Sequence, residues 1–473
     1  MARSRKYSTA FIDEAKIHEW LKKTGNPEPA RVREVIAKAR EAQGLSPEET
    51  AVLLQVEDDE LLAEIFAAAR EVKERIYGRR VVIFAPLYLS NYCINSCTYC
   101  GYRRRNQEIT RRKLSQEEIA EQTRILIDMG HKRVAIEAGE DPRMAPIEYI
   151  LESIATIYRT TSGRNSIRRV NVNIAATTVE EYRLLKEADI GTYILFQETY
   201  HRETYRRVHP AGPKADYDWH TTAMHRAMEA GIGDVSVGVL FGLYDYRFEV
   251  LALLLHAAEL ERVFGAGPHA VSVPRLREAA GVDLNNFPYL LSNRDFRKVV
   301  AIIRLALPYA GLILSTREKP EDRDELIALG VSQMSAGSCT GVGGYRRPGG
   351  EEKAVEERTE QFTVHDNRSH DEVVRSICRV GYLPSYCTAC YRSGRTGPDF
   401  MRLAKPGRIQ ELCLHNAILT FKEYLLDYAS PQTRAIGEEV IAQQLSTIAD
   451  EKLRLLTQER LQRIEAGERD IYF

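Results

Sequence analysis

Between about positions 80 and 340 the chain repeats one pattern eight times: a short apolar run rich in β-branched residues, then a longer stretch with helical spacing. The runs fall at 81–87, 133–137, 170–175, 193–198, 235–241, 270–274, 312–317 and 331–335. Strands joined by helical crossovers pair in parallel, and eight such units predict an α/β fold closed as a (β/α)8 TIM barrel. In that fold the reacting groups gather at the C-terminal ends of the strands. Residues 1–78 read as a helical extension, 79–340 as the barrel and 341–473 as a mainly helical C-terminal region. The glycine-rich stretch at 341–350 marks the exit from the barrel.

Directly after the first run comes Cys93-Ile94-Asn95-Ser96-Cys97-Thr98-Tyr99-Cys100, a C-x3-C-x2-C loop. Three thiolates and no fourth fit neither a closed zinc site nor a fully ligated iron–sulfur cube, each of which takes four protein ligands. The count implies a [4Fe-4S] cluster with one iron open to something other than protein. The loop continues into Gly101-Tyr102-Arg103-Arg104-Arg105, which sets positive charge beside a cluster that is negative with its thiolates.

A second trio, Cys387, Cys390 and Cys413, has the spacing C-x2-C-x22-C. By itself it reads as zinc, a redox dithiol or an iron–sulfur site. Eight cysteines, six of them in these clusters, point to a reducing compartment rather than a disulfide framework, and the chain is expected to be cytoplasmic. Its 66 basic and 67 acidic side chains balance, so nothing argues for nucleic acid; no apolar run is long enough for a membrane span, and no signal-peptide core follows the basic first residues.

The first cysteine loop resembles that of the radical S-adenosylmethionine (SAM) superfamily. The resemblance implies that SAM chelates the open iron and that an electron from a donor such as ferredoxin or flavodoxin releases a 5′-deoxyadenosyl radical. Tyr99 matches the aromatic position near the adenine. Glu137-Ala138-Gly139-Glu140 resembles the Gly-Gly-Glu segment that holds the SAM amino group, with Ala138 in place of the first glycine, which puts the weight on Gly139 and Glu140. Asn171 and Asn173 in the third run, and Gln197 with Glu198 and Thr199 after the fourth, offer polar groups for the ribose or the SAM carboxylate. An amino-acid substrate needs a guanidinium for its carboxylate, and Arg317 at the end of the seventh run and Arg275 after the sixth compete for that role.

The two trios together, with Gly267-Pro268-His269 and Ser335-Ala336-Gly337, resemble the radical SAM tyrosine lyases of [FeFe]-hydrogenase maturation. The related thiamin-pathway tyrosine lyases lack the terminal cysteines. The resemblance implies cleavage of the Cα–Cβ bond of L-tyrosine to p-cresol and dehydroglycine. Conversion of the fragment to CO and cyanide would follow at a second [4Fe-4S] cluster that carries an additional labile iron. The product is an Fe(CO)2(CN) unit on cysteine, destined for a maturation scaffold protein. His269, placed before the sixth run and so at the opposite mouth, is the expected ligand of the labile iron. The other readings are a lyase for another aromatic amino acid and a non-catalytic iron–sulfur carrier.

Overall fold

The computed structural model describes residues 6–346 and 358–473, so part of the glycine-rich barrel exit and the first five residues lie outside the described residues. Eight strands close the barrel: β1 (Arg80–Ser90), β2 (Arg133–Ala138), β3 (Arg169–Asn173), β4 (Tyr193–Ile194), β5 (Val235–Gly238), β6 (Ala270–Ser272), β7 (Gly311–Leu314) and β8 (Gln333–Ser335). All pair in parallel in chain order, and β8 returns to β1 with Val82 opposite Gln333 and Phe84 opposite Ser335. Every one of the eight predicted runs overlaps a barrel strand.

A ninth strand, β9 (Leu383–Ser385), was not legible in the sequence. It pairs parallel to the first residues of β1, Arg80 with Leu383 and Val82 with Ser385. The eleven-residue β1 therefore reaches both mouths: its start holds β9, and its end delivers the first cysteine loop. Cys387 follows β9 by two residues, so strand pairing brings the second trio to the N-terminal mouth.

Four helices precede the barrel. The longest, Asp59–Tyr77, starts on the Asp58 side chain, which accepts from Leu61 N, and stops at Gly78, whose φ of 63° suits glycine. Its buried stripe, Leu61, Leu62, Ile65, Ala68, Ala69, Val72 and Ile76, follows the 3.6-residue period and packs on the helix Asn293–Ala306. A fully buried Ile of this kind contributes about 2 kcal/mol, so Ile65→Ala should cost ~2–5 kcal/mol. One continuous apolar core runs through these helices, the barrel and the C-terminal helices His370–Arg379 and Gln410–Asp427. No helix of the described residues is long and apolar enough to cross a membrane.

Candidate active site and second metal centre

Cys93, Cys97 and Cys100 all line a cavity of about 1020 Å³ at the C-terminal mouth, together with Tyr99, Gly139, Glu140, Asn173 and Arg317. All eight cysteines are free thiols. The loop after β1 is locked to the loop after β2: Ile94 N donates to Glu140 O at 2.9 Å and Asn95 Nδ2 to Glu140 Oε2 at 2.6 Å. The backbones approach so closely that a Cβ on Gly139 would lie 2.4 Å from Tyr92 O. Glycine is required there for contact rather than for φ. Gly212, with φ 99°, passes equally close to Asn95, whose Oδ1 accepts from Lys214 N at 2.9 Å.

Burial raises the pKa of all three thiols, that of Cys100 to about 11. Lys214 offsets only part of that effect at Cys97 and Cys100, and ligation to iron is what would deprotonate the thiols. Three thiols on one cavity wall with no fourth fit a cube that leaves one iron open; among the described residues no three His, Cys, Asp or Glu side chains close in on a point suited to a single ion. Tyr99 is oriented by a 2.7 Å hydrogen bond between its hydroxyl and His209 Nε2. Of the arginines after the loop, Arg103 binds carbonyl groups, donating to Cys100 O and Ala280 O.

Three expected residues are not brought to this cavity. Arg275 is bound to Glu318 through Nε and Nη2 and to Asn293 through Nη1, at 2.9 Å in the last case. Because Glu318 follows Arg317, the two side chains leave the chain in different directions; Glu318 takes Arg275, while Arg317 lines the cavity. Gln197 donates to Thr221 Oγ1 at 2.9 Å, because the pleat that turns Phe196 and Glu198 inward turns it out. Asn171 accepts from Thr192 N at 3.0 Å and lines none of the three cavities along the barrel.

Of the polar groups expected after the fourth strand, Glu198 does reach the mouth, beside residues that had little sequence signal. Glu198, at φ 70°, pairs with Lys214 at 2.7 Å. Burial opposes the Lys214 charge, but Glu198 and Cys97 outweigh it and raise the pKa above its ordinary value. Gln361 and Phe362 belong to a strap far along the chain. Gln361 O accepts from Gly101 N, its side chain accepts from the Tyr88 hydroxyl at 3.1 Å, and the Phe362 ring centre lies 3.4 Å from the Arg317 guanidinium. The strand-end Glu137 had passed as part of a β run; it accepts from Asn173 Nδ2 at 2.7 Å. Lys214 follows a Gly-Pro turn, the only hint that the sequence offered for it.

Below the upper cavity a second space of about 670 Å³ occupies the barrel interior. The two share Glu137, Asn173, Phe196, Arg317, Gln361 and Phe362. A third cavity of about 570 Å³ lies at the N-terminal mouth, lined by Cys387, Cys390, Cys413 and His269. Cys413 is presented by the helix Gln410–Asp427, whereas Cys390 lies in the short helix Ala389–Arg392. A hydrogen bond from the Cys390 thiol, helped by Arg80, Arg395 and Arg133, lowers the Cys413 pKa against the effect of burial. The His269 ring packs on Phe400, with 4.2 Å between centres, and its Nδ1 lies 3.4 Å from Asp234. Burial lowers its pKa and Asp234 opposes the shift only in part, so the imidazole is neutral, the form that ligates iron. His415 does not line this cavity; its Nδ1 is hydrogen-bonded to Thr457 Oγ1 at 2.7 Å.

A closed parallel barrel with three cysteines after its first strand, beside a pocket of this shape, defines a radical SAM enzyme with a [4Fe-4S] cluster that binds SAM. Residues 87–255 match the Radical SAM superfamily model, and 272–383 match the Biotin and Thiamin Synthesis associated domain. The chain is 29% identical to 2-iminoacetate synthase of Escherichia coli over 74% of this chain and 89% of that protein. The crystal structure of HydG, a maturase of the [FeFe]-hydrogenase, superposes with a TM-score of 0.94 at 57% identity, covering 98% of this chain and all of that one. HydG from Carboxydothermus hydrogenoformans gives 0.83 at 40% identity, over 97% of this chain and all of that one. The chain belongs to the HydG family of [FeFe]-hydrogenase maturases.

Proposed function

We propose that this radical SAM lyase divides its work between the two mouths of one barrel, cleaving L-tyrosine at the upper mouth and using its fragment at the lower. The observation that carries this reading is the pair of cysteine trios, each lining a cavity at one end, with a further cavity in the barrel between them. When bound, the upper cluster and SAM supply the deoxyadenosyl radical that breaks the Cα–Cβ bond to p-cresol and dehydroglycine. Tyr99, Gly139, Glu140 and Asn173 bind and orient SAM against Cys93, Cys97 and Cys100. Arg317, shared by the upper and middle cavities, clamps the tyrosine carboxylate. The apolar walls around it, including Phe196 and Phe362, keep water from the substrate.

Residues 341–473 form the domain that carries a second [4Fe-4S] cluster on Cys387, Cys390 and Cys413, and His269 from the barrel holds its additional labile iron. There the fragment yields CO and cyanide, and the Fe(CO)2(CN) unit leaves on cysteine for a maturation scaffold. The electron donor is a ferredoxin or flavodoxin. The test is anaerobic: reconstituted protein is given SAM, dithionite and each aromatic amino acid in turn. Release of p-cresol, CO and cyanide from tyrosine alone supports the reading. A product from another aromatic amino acid at equal rate, or no carbon–carbon cleavage, overturns it.

A further inference from the structure

Among the described residues, most charged groups at the upper mouth already have partners: Lys214 with Glu198, and Glu140 with Asn95. Arg317 and Glu137 have no ion-pair partner among the described residues. No ion pair or side-chain hydrogen bond joins the Arg317 guanidinium to any described residue, and its near neighbour is the Phe362 ring. Glu137 accepts only from the Asn173 amide, on one oxygen. No ion pair links Arg317 and Glu137 to each other, although both line the same two cavities.

Burying one uncompensated charge is costly, and burying two of opposite sign around one space is costly unless the ligand carries the complementary pair. Glu137 registers the cost: burial raises its pKa to about 8, with Asn173 and Arg317 offsetting only part of the effect. An α-amino acid brings a carboxylate and an ammonium on a single carbon. SAM also has both, but Gly139 and Glu140, the residues proposed for that end, line the upper cavity alone, whereas Glu137 and Arg317 also line the barrel interior.

The geometry points to Glu137 as the acceptor for the α-ammonium group of the tyrosine substrate, opposite Arg317 on its carboxylate. The assignment rests on the tyrosine-lyase reading and adds the residue that recognises the amine. Strands β2 and β7 stand three places apart around the barrel, so the two groups hold the amino acid from different walls. Fixing the nitrogen and the carboxyl carbon narrows the directions in which Cβ can point, which helps to orient the bond that breaks.

The test compares L-tyrosine with 3-(4-hydroxyphenyl)propanoate, which lacks only the amine. Affinities are measured anaerobically on the cluster-reconstituted, SAM-bound protein without reductant, so that nothing turns over. The unaltered protein should prefer tyrosine by roughly ten- to a hundredfold, the range of a charge-assisted hydrogen bond. In Glu137→Gln the preference should fall towards one through loss of tyrosine affinity, with SAM affinity unchanged, and Glu137→Asp should restore part of it. If the unaltered protein binds both compounds equally, or Glu137→Gln keeps the preference, or the loss falls on SAM, the assignment is overturned. Failure of the unaltered protein to bind tyrosine at all would instead remove the substrate reading beneath it.

Discussion

The two mouths of the barrel each present three cysteines, yet the charges around them differ. At the upper mouth burial raises all three thiols, and the nearby charges are largely paired with one another, as in Lys214 with Glu198. At the lower mouth burial likewise raises Cys387, and Cys390 is raised through its hydrogen bond to Cys413; Cys413 alone is lowered, first by that hydrogen bond and then by Arg80, Arg395 and Arg133. The Nε of each of those three arginines is buried without a hydrogen-bond partner. The same donor set thus sits in a nearly neutral wall at one end and in a cationic one at the other. A wall whose charges nearly balance leaves room for a cationic sulfonium and a zwitterionic substrate, whereas a cationic one suits anionic ligands.

The largest expected effect tests the division itself. Replacing Cys93, Cys97 or Cys100 by Ala should abolish SAM cleavage, measured as 5′-deoxyadenosine, because two thiolates cannot hold the cube. Replacing Cys387, Cys390 or Cys413 should leave deoxyadenosine and p-cresol formation in place and suppress the iron-bound carbonyl and cyanide. Equal loss of p-cresol in both sets, with the barrel still folded by circular dichroism, would erase the comparison. Next, His269→Ala should keep both cubes and tyrosine cleavage but lose the labile iron, seen as a missing high-spin resonance and as lower iron content per chain.

The barrel was legible because each strand is bounded by helical spacing, and the upper cysteines because they share one loop. The ninth strand was not: Leu383-Pro384-Ser385 is three residues long, and only its pairing with Arg80–Val82 reveals it. The two arginine candidates could not be separated by sequence either, since both follow barrel strands. What decides is Glu318, one residue beyond Arg317, which binds Arg275 and leaves Arg317 at the cavity. Gln361 and Phe362 had no local signal, because their position comes from a strap pinned by backbone bonds, Thr110 N to Arg358 O and Thr363 N to Glu278 O. His269 was foreseen as lying at the lower mouth from chain order alone, and the ring does line the cavity with the three cysteines.

A smaller effect separates the arginines. Arg317→Ala should weaken tyrosine binding by about 2–5 kcal/mol, the range for truncating one partner of a buried charge pair, while SAM affinity stays close to its original value. Arg275→Ala should instead lower the melting temperature, because it leaves the buried Glu318 with Arg277 as its remaining guanidinium partner. Equilibrium dialysis with labelled tyrosine reads the first, and thermal unfolding the second. Tyrosine affinity unchanged in Arg317→Ala would remove that arginine from the substrate site.

The smallest expected effect probes the cationic wall. Arg80 begins β1, lines the lower cavity and packs near the Tyr77 ring, with no side-chain hydrogen bond among the described residues. Its removal therefore breaks no visible partner, and Arg80→Gln keeps much of its length while deleting the charge. A nearby positive charge favours the more reduced, more negative state of a cluster, so the variant should shift the reduction potential of the C-terminal cluster downward. The upper cluster, at the other end of the barrel and screened from Arg80, should hold its potential. An anaerobic redox titration followed by electron paramagnetic resonance, with the two clusters distinguished by adding SAM, measures both in one sample. Equal shifts at the two clusters would mean that Arg80 acts through the fold rather than through its charge, and no shift at either would show that solvent and the remaining guanidinium groups of the wall already set the field at the lower mouth.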